Sequence, residues 1–288
     1  MSALQVNERQ RDATLVLGGT GKTGRRVAAR LTARGVPVRI GSRGGAPPFD
    51  WQDSSTWRPA LRGVESAYIS YYPDLAAPGA SEAIGAFIEQ AVKSGVRRLV
   101  LLSGRGEDEA QRSERVLRES GADWTILRSS WFCQNFSESH LLEAVLHGEV
   151  ALPAGTVAEP FVDADDIADV AVAALTEAGH IGQLYELTGP RLLTFADAVE
   201  EIARASGRPV RYVDLPVDRF ASRLKEQYVP AEVVELLIYL FTTVLDGRNA
   251  QLADGIQRAL GRGPRDFAQY ARDTAATGVW AGGAVVPV

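Results

Sequence analysis

One cysteine in 288 residues, Cys133, excludes an internal disulfide and any zinc site built from several thiolates. Histidine is nearly as scarce: His140, His147 and His180 show no metal-ligand spacing, so no metal centre is expected. No apolar run approaches the ~20 residues that span a bilayer. The opening MSALQVNERQRDATLVLGG is polar before it turns strand-like, without the apolar centre of a signal peptide. A basic stripe is also missing. The net charge is −5 and the arginines are scattered, which argues against a nucleic-acid partner. What remains, 45% hydrophobic and 23% charged, is ordinary globular composition. The chain reads as cytoplasmic; a small-molecule substrate, no nucleic-acid or membrane partner, and a monomer or homodimer are expected.

The stretch Leu15–Arg25, LVLGGTGKTGR, resembles two phosphate-binding loops at once. Gly21-Lys22-Thr23 is the ending of an ATPase P-loop, which needs a further glycine five positions before its Gly-Lys. That position is Val16, inside the apolar run Leu15-Val16-Leu17, where a buried strand leaves no room for a wrapping loop. The dinucleotide reading fits. Thr14–Leu17 is a short strand, Gly18 permits the turn out of it, Gly21 admits the pyrophosphate, and Gly24 allows close helix–strand packing. A helix over Arg25–Ala33 would aim its positive end at the phosphates. Gly19, Thr20, Lys22 and Thr23 complete the loop, with Lys22 and Thr23 either on phosphate or solvated. The second strand, Val36–Ile40, ends in Gly41-Ser42-Arg43 without the acid that an NAD site uses on the ribose. Arg43 offers a planar donor fork to a 2′-phosphate and Ser42 a second donor, so the expected cofactor is NADP(H).

Strand and helix patterns keep alternating. Strands are expected at Ser66–Tyr71, Arg98–Ser103 and Trp124–Leu127, and helices at Ser81–Ser94 and Glu107–Ser120. This is the α/β pattern of a Rossmann, doubly wound parallel sheet, whose ligands bind outside the strands' carboxyl ends. Those ends carry Gly18–Gly24, Ser42-Arg43, Asp50-Trp51, Ser70–Pro73, Ser103–Arg105 and Arg128–Asn135, which should converge. From about Ser137 helical patterns dominate, at Ser139–His147, Ala164–Glu177, Phe195–Ser206, Asp218–Gln227, Pro230–Leu245, Asn249–Leu260 and Pro264–Thr274. Short strands interrupt them at Leu184–Leu187 and Val210–Val213. The expected division is a cofactor-binding core over 1–136, its sheet completed by later segments, and a smaller, mainly helical substrate region over 137–288. The tail GVWAGGAVVPV shows no pattern and is expected to be partly disordered.

The loop GGTGKTG, the SR after the second strand, WTILRSSWFCQNF and EPFVDADDIADVAVAALTE resemble the NmrA-like, atypical short-chain dehydrogenase/reductase family. GGTGKTGRR, FDWQDSSTW, GVRRLVLLSGRG, LTGPRLLTFADAVEEIARASGRPVRY and LGRGPRDFAQYAR are similar to its ergot-alkaloid branch, the festuclavine and agroclavine dehydrogenases. The resemblance runs from Thr14 to about Asp273. It implies an NADP(H)-binding Rossmann domain with substrate between it and a small C-terminal region. By position, Gly18–Gly24 would take the pyrophosphate, Arg43 the 2′-phosphate, and Asp50 and Trp51 the adenine border. Ser70, Tyr71 and Pro73, with Ser103, Gly104 and Arg105, would pass the ribose and nicotinamide. Trp131, Phe132, Asn135 and Phe136 would line the substrate site. The family's Arg-Pro is Arg128-Ser129 here.

No Tyr-x-x-x-Lys pair follows the fifth strand, so the usual acid of short-chain dehydrogenases is missing. An iminium carbon accepts hydride with little acid help, whereas a ketone or quinone oxygen needs a proton. The expected acceptors are therefore cyclic imines or iminium ions, or conjugated quinones and enones. Trp131, Phe132, Phe136, Tyr239 and Phe241 suggest that they are bulky and apolar. Candidate proton donors are Ser103, Tyr71 and Tyr72, although Ser103 also suits a strand-end hydrogen bond and the tyrosines a wall. Cys133 reads as a buried, inert thiol. In VDADDIAD (Val162–Asp169), Asp165 suits a helix N-cap better than a metal ligand. A non-catalytic dinucleotide sensor and a cofactor-retaining isomerase or cyclase remain alternatives to the reductase.

Overall fold

The structure, a computed structural model, describes residues 13–139 and 141–282. The readings placed on residues 1–12, on His140 and on residues 283–288 lie outside the described residues. In chain order the elements are β1 (Ala13–Leu17), α1 (Lys22–Ala33), β2 (Val38–Gly41), α2 (Trp57–Leu61), β3 (Val64–Ile69), α3 (Ala80–Lys93), β4 (Arg98–Gly104), α4 (Asp108–Glu119) and β5 (Asp123–Ser129). They continue as α5 (Leu141–Leu146), β6 (Glu149–Leu152), β7 (Ala158–Glu159), α6 (Ala164–Thr176), β8 (Gln183–Leu187), β9 (Leu193–Thr194), α7 (Phe195–Ser206) and β10 (Arg211–Asp214). The last are α8 (Val217–Glu226), α9 (Ala231–Tyr239), α10 (Gly255–Leu260) and α11 (Phe267–Ala276).

The chain divides into two compact units, and the division is not one cut after residue 136. The first unit joins the chain up to Ser129 with Ala164–Leu187 and Asp254–Arg262; the second holds Ser130–Asp163, Thr188–Ala253 and the remainder from Gly263. The physical reason is that β8 pairs in parallel with β5, α6 packs on α1, and α10 packs on β8 and α6.

The first unit is a six-stranded parallel sheet in the order β2-β1-β3-β4-β5-β8. Strand order reverses between β1 and β3, which opens a crevice at their carboxyl ends. Alternate residues fill opposite faces. Leu15, Leu17, Ala67, Ile69, Leu99, Leu101 and Ile126 join Ile84, Phe87 and Ile88 of α3 in one core. Val16, Tyr68, Val100 and Leu127, all fully buried, take the other face, towards α1 and α6. Each such side chain contributes about 1.5–3 kcal/mol on burial.

Boundaries shift from the sequence expectation for local reasons. β2 begins at Val38, and the Pro37 carbonyl just before it accepts from Thr14 N at 2.9 Å. β3 ends at Ile69, so Ser70 and Tyr71 leave the sheet ahead of Pro73. A helix over Asn249–Leu260 shrinks to Gly255–Leu260, because Thr188 Oγ1 both accepts from Ala253 N (3.0 Å) and donates to Ala253 O (3.2 Å). Asp165 is not an N-cap: it lies inside the first turn of α6, ion-paired to Arg30 (2.6 Å) and Arg26 (3.3 Å) of α1. Asp166 and Asp169 of the same helix hold Arg262.

The second unit has its own core, in which Phe136, Phe161, Phe195 and Phe267 pack at centroid separations of 5.1–6.0 Å. β6 and β10 pair in parallel and β7 and β9 antiparallel. Helix α7 starts as expected, on a capping box between Thr194 and Asp197. The expected Pro230–Leu245 helix is α9 followed by a π-turn over Leu240–Val244. Part of the tail is ordered: Trp280 is 1% exposed and its indole N–H donates to Phe136 O at 2.9 Å.

Candidate active site

The turn after β1 is built by glycine. Gly18 adopts φ +63°, receives the Gly21 N–H on its carbonyl (2.8 Å) and donates its own N–H to Gly41 O (3.2 Å). A Cβ on Gly24 would collide with the Gly18 carbonyl, so helix and strand touch only because both positions lack side chains. A Cβ on Gly19 would fall 2.9 Å from Val16 O and from Ile40 Cγ2. Gly21 differs: a Cβ there would meet Gly18 O at 3.2 Å and no other atom within 4 Å, so this side of the turn is open. Val16 is a strand residue, and the P-loop geometry is not formed.

Helix α1 starts at Lys22, earlier than expected, with Gly21 as an N-cap that supplies no side-chain hydrogen bond. Its first turn holds no acid, so its positive end faces outward without a protein counter-charge from that turn. Lys22 and Thr23 are therefore helical and not loop residues. Lys22 faces Asp74, and Thr23 is buried against the Tyr68 hydroxyl, which completes no hydrogen bond. Burial pushes that phenol well above its ordinary titration range. The Thr23 side chain is packing, and only its backbone remains for an anion. Thr20 is exposed.

The other strand ends gather around this turn. A Cβ on Gly18 would lie 3.3 Å from Ser70 Oγ. Ser42 is half-buried, and its carbonyl accepts from Gly45 and Phe49 at 2.9 Å. Arg43 is exposed and makes no hydrogen bond or ion pair with a described residue. Asp50 O accepts from the Trp57 indole (2.7 Å). Trp51 packs on Phe49 (5.1 Å) and Tyr71 (4.9 Å), which makes Trp51 and Tyr71 a half-buried aromatic wall. Burial raises the Tyr71 phenol. Tyr72 is 72% exposed, and Pro73 beside it is also exposed.

The ends of β4 and β5 depart most from expectation. Ser103 is no free proton donor: its buried hydroxyl donates to Glu114 Oε1 at 2.7 Å. Glu114, itself 2% exposed, also takes Arg128 through Nε (2.9 Å), and Arg128 bridges on to Glu186 (3.0 Å). Arg105 is buried and reaches Glu186 at 3.5 Å, so its side chain is not directed at a solvent-side ligand. These charges satisfy one another, as buried charges must. Two carboxyls that the sequence did not single out stand beside them. Glu107, just before α4, is held well above the ordinary carboxyl range by burial and by the negative charges of Asp74 and Glu114. Asp74, after β3, is raised by burial, against the pull of the Ala76 N–H and Lys22. The spacing gave no signal for them, since they are thirty-three residues apart and meet only through the sheet.

Of the expected substrate residues, Trp131 is half-buried in the second unit against Phe241 (5.0 Å) and Phe195 (5.5 Å). Phe132 and Asn135 are also half-buried. Phe136 is fully buried in that unit's core, with Phe161, Phe195 and Phe267 around it, and does not line an open surface. Cys133, fully buried in the same core, is in no disulfide. His147 is exposed, and His180 is buried against the Tyr185 hydroxyl at 2.9 Å.

Residues 48–178 match the family model described as NAD(P)H-binding. The chain is 31% identical to the uncharacterized oxidoreductase YesF of Bacillus subtilis (strain 168), across 92% of this chain and 97% of that protein. Against agroclavine dehydrogenase of Claviceps fusiformis the identity is 30%, across 90% of this chain and 96% of that one. The chain belongs to the family of NAD(P)H-binding oxidoreductases that these relatives represent. The NADPH complex of an Escherichia coli NADPH-dependent quinone oxidoreductase shares the fold at a TM-score of 0.75 and 24% identity, over 91% of this chain and 99% of that one. As a member of this family the protein is an NAD(P)H-dependent oxidoreductase. In the turn after β1, a Cβ at Gly24 has no room and Gly18 takes a left-handed conformation. No described helix is long and apolar enough to cross a membrane.

Proposed function

We propose that the protein uses NADPH to reduce a bulky, largely apolar acceptor of the cyclic imine, iminium, quinone or enone type, in secondary metabolism. The observation that carries the cofactor choice is Arg43, an exposed guanidinium with no described partner at the end of a second strand that ends without an acid. A bidentate phosphate contact suits that fork, and no carboxylate repels the phosphate.

The residues present fit a dinucleotide. The open side of Gly21 and the uncapped start of α1 would hold the pyrophosphate, Arg43 and Ser42 the 2′-phosphate, and Trp51 the adenine side. NADPH, when bound, is the hydride source. The protein's own tasks are to orient the acceptor and to exclude water. Trp131, half-buried with Phe241 and Phe195 packed behind it in the core, offers an aromatic face that suits a flat, conjugated or polycyclic molecule. Agroclavine dehydrogenase and the quinone oxidoreductase, by their names, act on such molecules.

The test is a panel of cyclic imines, iminium salts, quinones and enones supplied with NADPH. Loss of the nicotinamide absorbance with one class supports the reading and names the class. Tight NADPH binding with no oxidation by any acceptor would replace it with the sensor, and substrate turnover without net cofactor use with the isomerase or cyclase.

A further inference from the structure

At the carboxyl edge of the first unit's sheet, one side chain has the surroundings of a proton donor. Glu107 precedes α4, and its side chain folds back over the end of β4. A Cβ on Gly104 would collide with the Glu107 carboxyl, so glycine at that position is what gives the carboxyl its seat. The seated carboxyl makes no hydrogen bond with any described residue. Two carboxylates act on it, Asp74 from the loop after β3 and Glu114 from α4. The nearby cations are committed elsewhere. Lys22 of α1 faces Asp74, Arg128 and Arg118 take Glu114, and Arg105 reaches Glu186.

A second observation is independent of these acids. Gly104 and Ser129 are register partners in the parallel β4–β5 pair, so their side-chain positions lie side by side on one face of the sheet. The Gly104 position is filled by the Glu107 carboxyl. Beside it lies Ser129, a buried residue whose hydroxyl is sealed from solvent and has no hydrogen-bond partner. A buried hydroxyl left without a partner is costly, and this one lies on the face of the sheet that carries the Glu107 carboxyl.

We propose that Glu107, seated on Gly104 beside Ser129, is the acid that protonates the oxygen of a quinone or enone during its reduction, in place of the missing tyrosine–lysine pair. The inference rests on the reductase reading. Hydride arrives on the acceptor, the displaced electron pair moves onto the acceptor oxygen, and that oxygen takes the Glu107 proton. The resulting carboxylate regains its proton from water. An iminium acceptor uses no proton, because hydride only neutralises its charge.

Burial, with Asp74 and Glu114, raises the Glu107 carboxyl well above its ordinary range and so favours its protonated form. The sign for stability follows. Protons bind more tightly to folded than to unfolded Glu107, so its contribution is complete below the ordinary value of 4.5 and is lost as pH rises through the folded value. Glu107→Gln cannot ionise and escapes that loss. In the protein without cofactor, the melting temperature of Glu107→Gln relative to wild type should therefore increase as pH is raised from mildly acidic to mildly alkaline.

The second readout compares NADPH oxidation by 1,4-naphthoquinone with that by a preformed cyclic iminium salt. The quinone-to-iminium rate ratio should fall about a hundredfold or more in Glu107→Gln, the usual worth of a general acid. Asp74→Asn should move the alkaline decline of the quinone rate to lower pH, because it removes one charge that holds the proton. Equal losses on both acceptors, or a melting difference that does not change with pH, would overturn the proposal and leave Glu107 a packing residue. If wild type oxidises NADPH with neither acceptor while the pH-dependent melting difference persists, the reductase reading is what has failed, and the catalytic role falls with it.

Discussion

At the scale of single residues, the proposed cofactor contacts rest on very few side chains. Most polar groups near the strand ends are already paired within the protein: Ser103 and Arg128 with Glu114, and Arg105 with Glu186. Arg43 is the contrast, exposed and making no contact with a described partner. Removing it should leave the fold untouched and alter only what binds. Arg43→Ala is expected to weaken NADPH binding by about ten- to a hundredfold, the roughly 1.5–3 kcal/mol of a charge-assisted contact, while NADH binding changes little. Titrating wild type and variant with both cofactors measures the difference. Equal weakening of the two would take Arg43 away from the 2′-phosphate.

At the scale of the element, β1, its turn and α1 act as one device in which two glycines have different jobs. Gly24 sits where a Cβ would strike the Gly18 carbonyl, and Gly21 sits where a Cβ would find space beyond one contact at 3.2 Å. Valine at Gly21 therefore costs the protein little but fills the space over the start of the helix. Gly21→Val should abolish NADPH binding with unfolding near wild type. Gly24→Ala should lower stability itself, by the roughly 1–3 kcal/mol typical of overpacking, because the backbones must part. Denaturant melts beside cofactor titrations separate the two, and a folded, tightly binding Gly21→Val would place the pyrophosphate elsewhere.

At the scale of the whole molecule, ligand binding reads out through stability. A ligand that binds only the folded chain stabilises it by mass action, about 2.7 kcal/mol at a hundredfold excess over its dissociation constant. NADPH should raise the melting temperature in this way, and ATP with magnesium should do little, because Val16 lies in β1 where a P-loop would need its first glycine. A scan of wild type and Lys22→Ala against both ligands tests it. Protection by ATP that disappears in Lys22→Ala would overturn the dinucleotide assignment of the turn.

The sequence by itself determined the parts that local pattern controls. The apolar runs Leu15 to Leu17 and Leu99 to Leu102, the glycines at 18, 21 and 24, and the capping pair Thr194–Asp197 each carry their geometry in a few neighbouring residues. That was enough for the parallel sheet, the glycine turn after β1 and the Phe195–Ser206 helix. Only the tertiary structure decided what residues distant in sequence do to one another. It returned 164–187 and 254–262 to the sheet unit through β8, α6 and α10. It bound Ser103 to Glu114 and buried Phe136 and Trp280. Asp74 and Glu107 follow different strands and meet at the sheet edge, where burial raises both carboxyls. Periodicity cannot show this, because a pKa depends on which charges come near and on how much water remains.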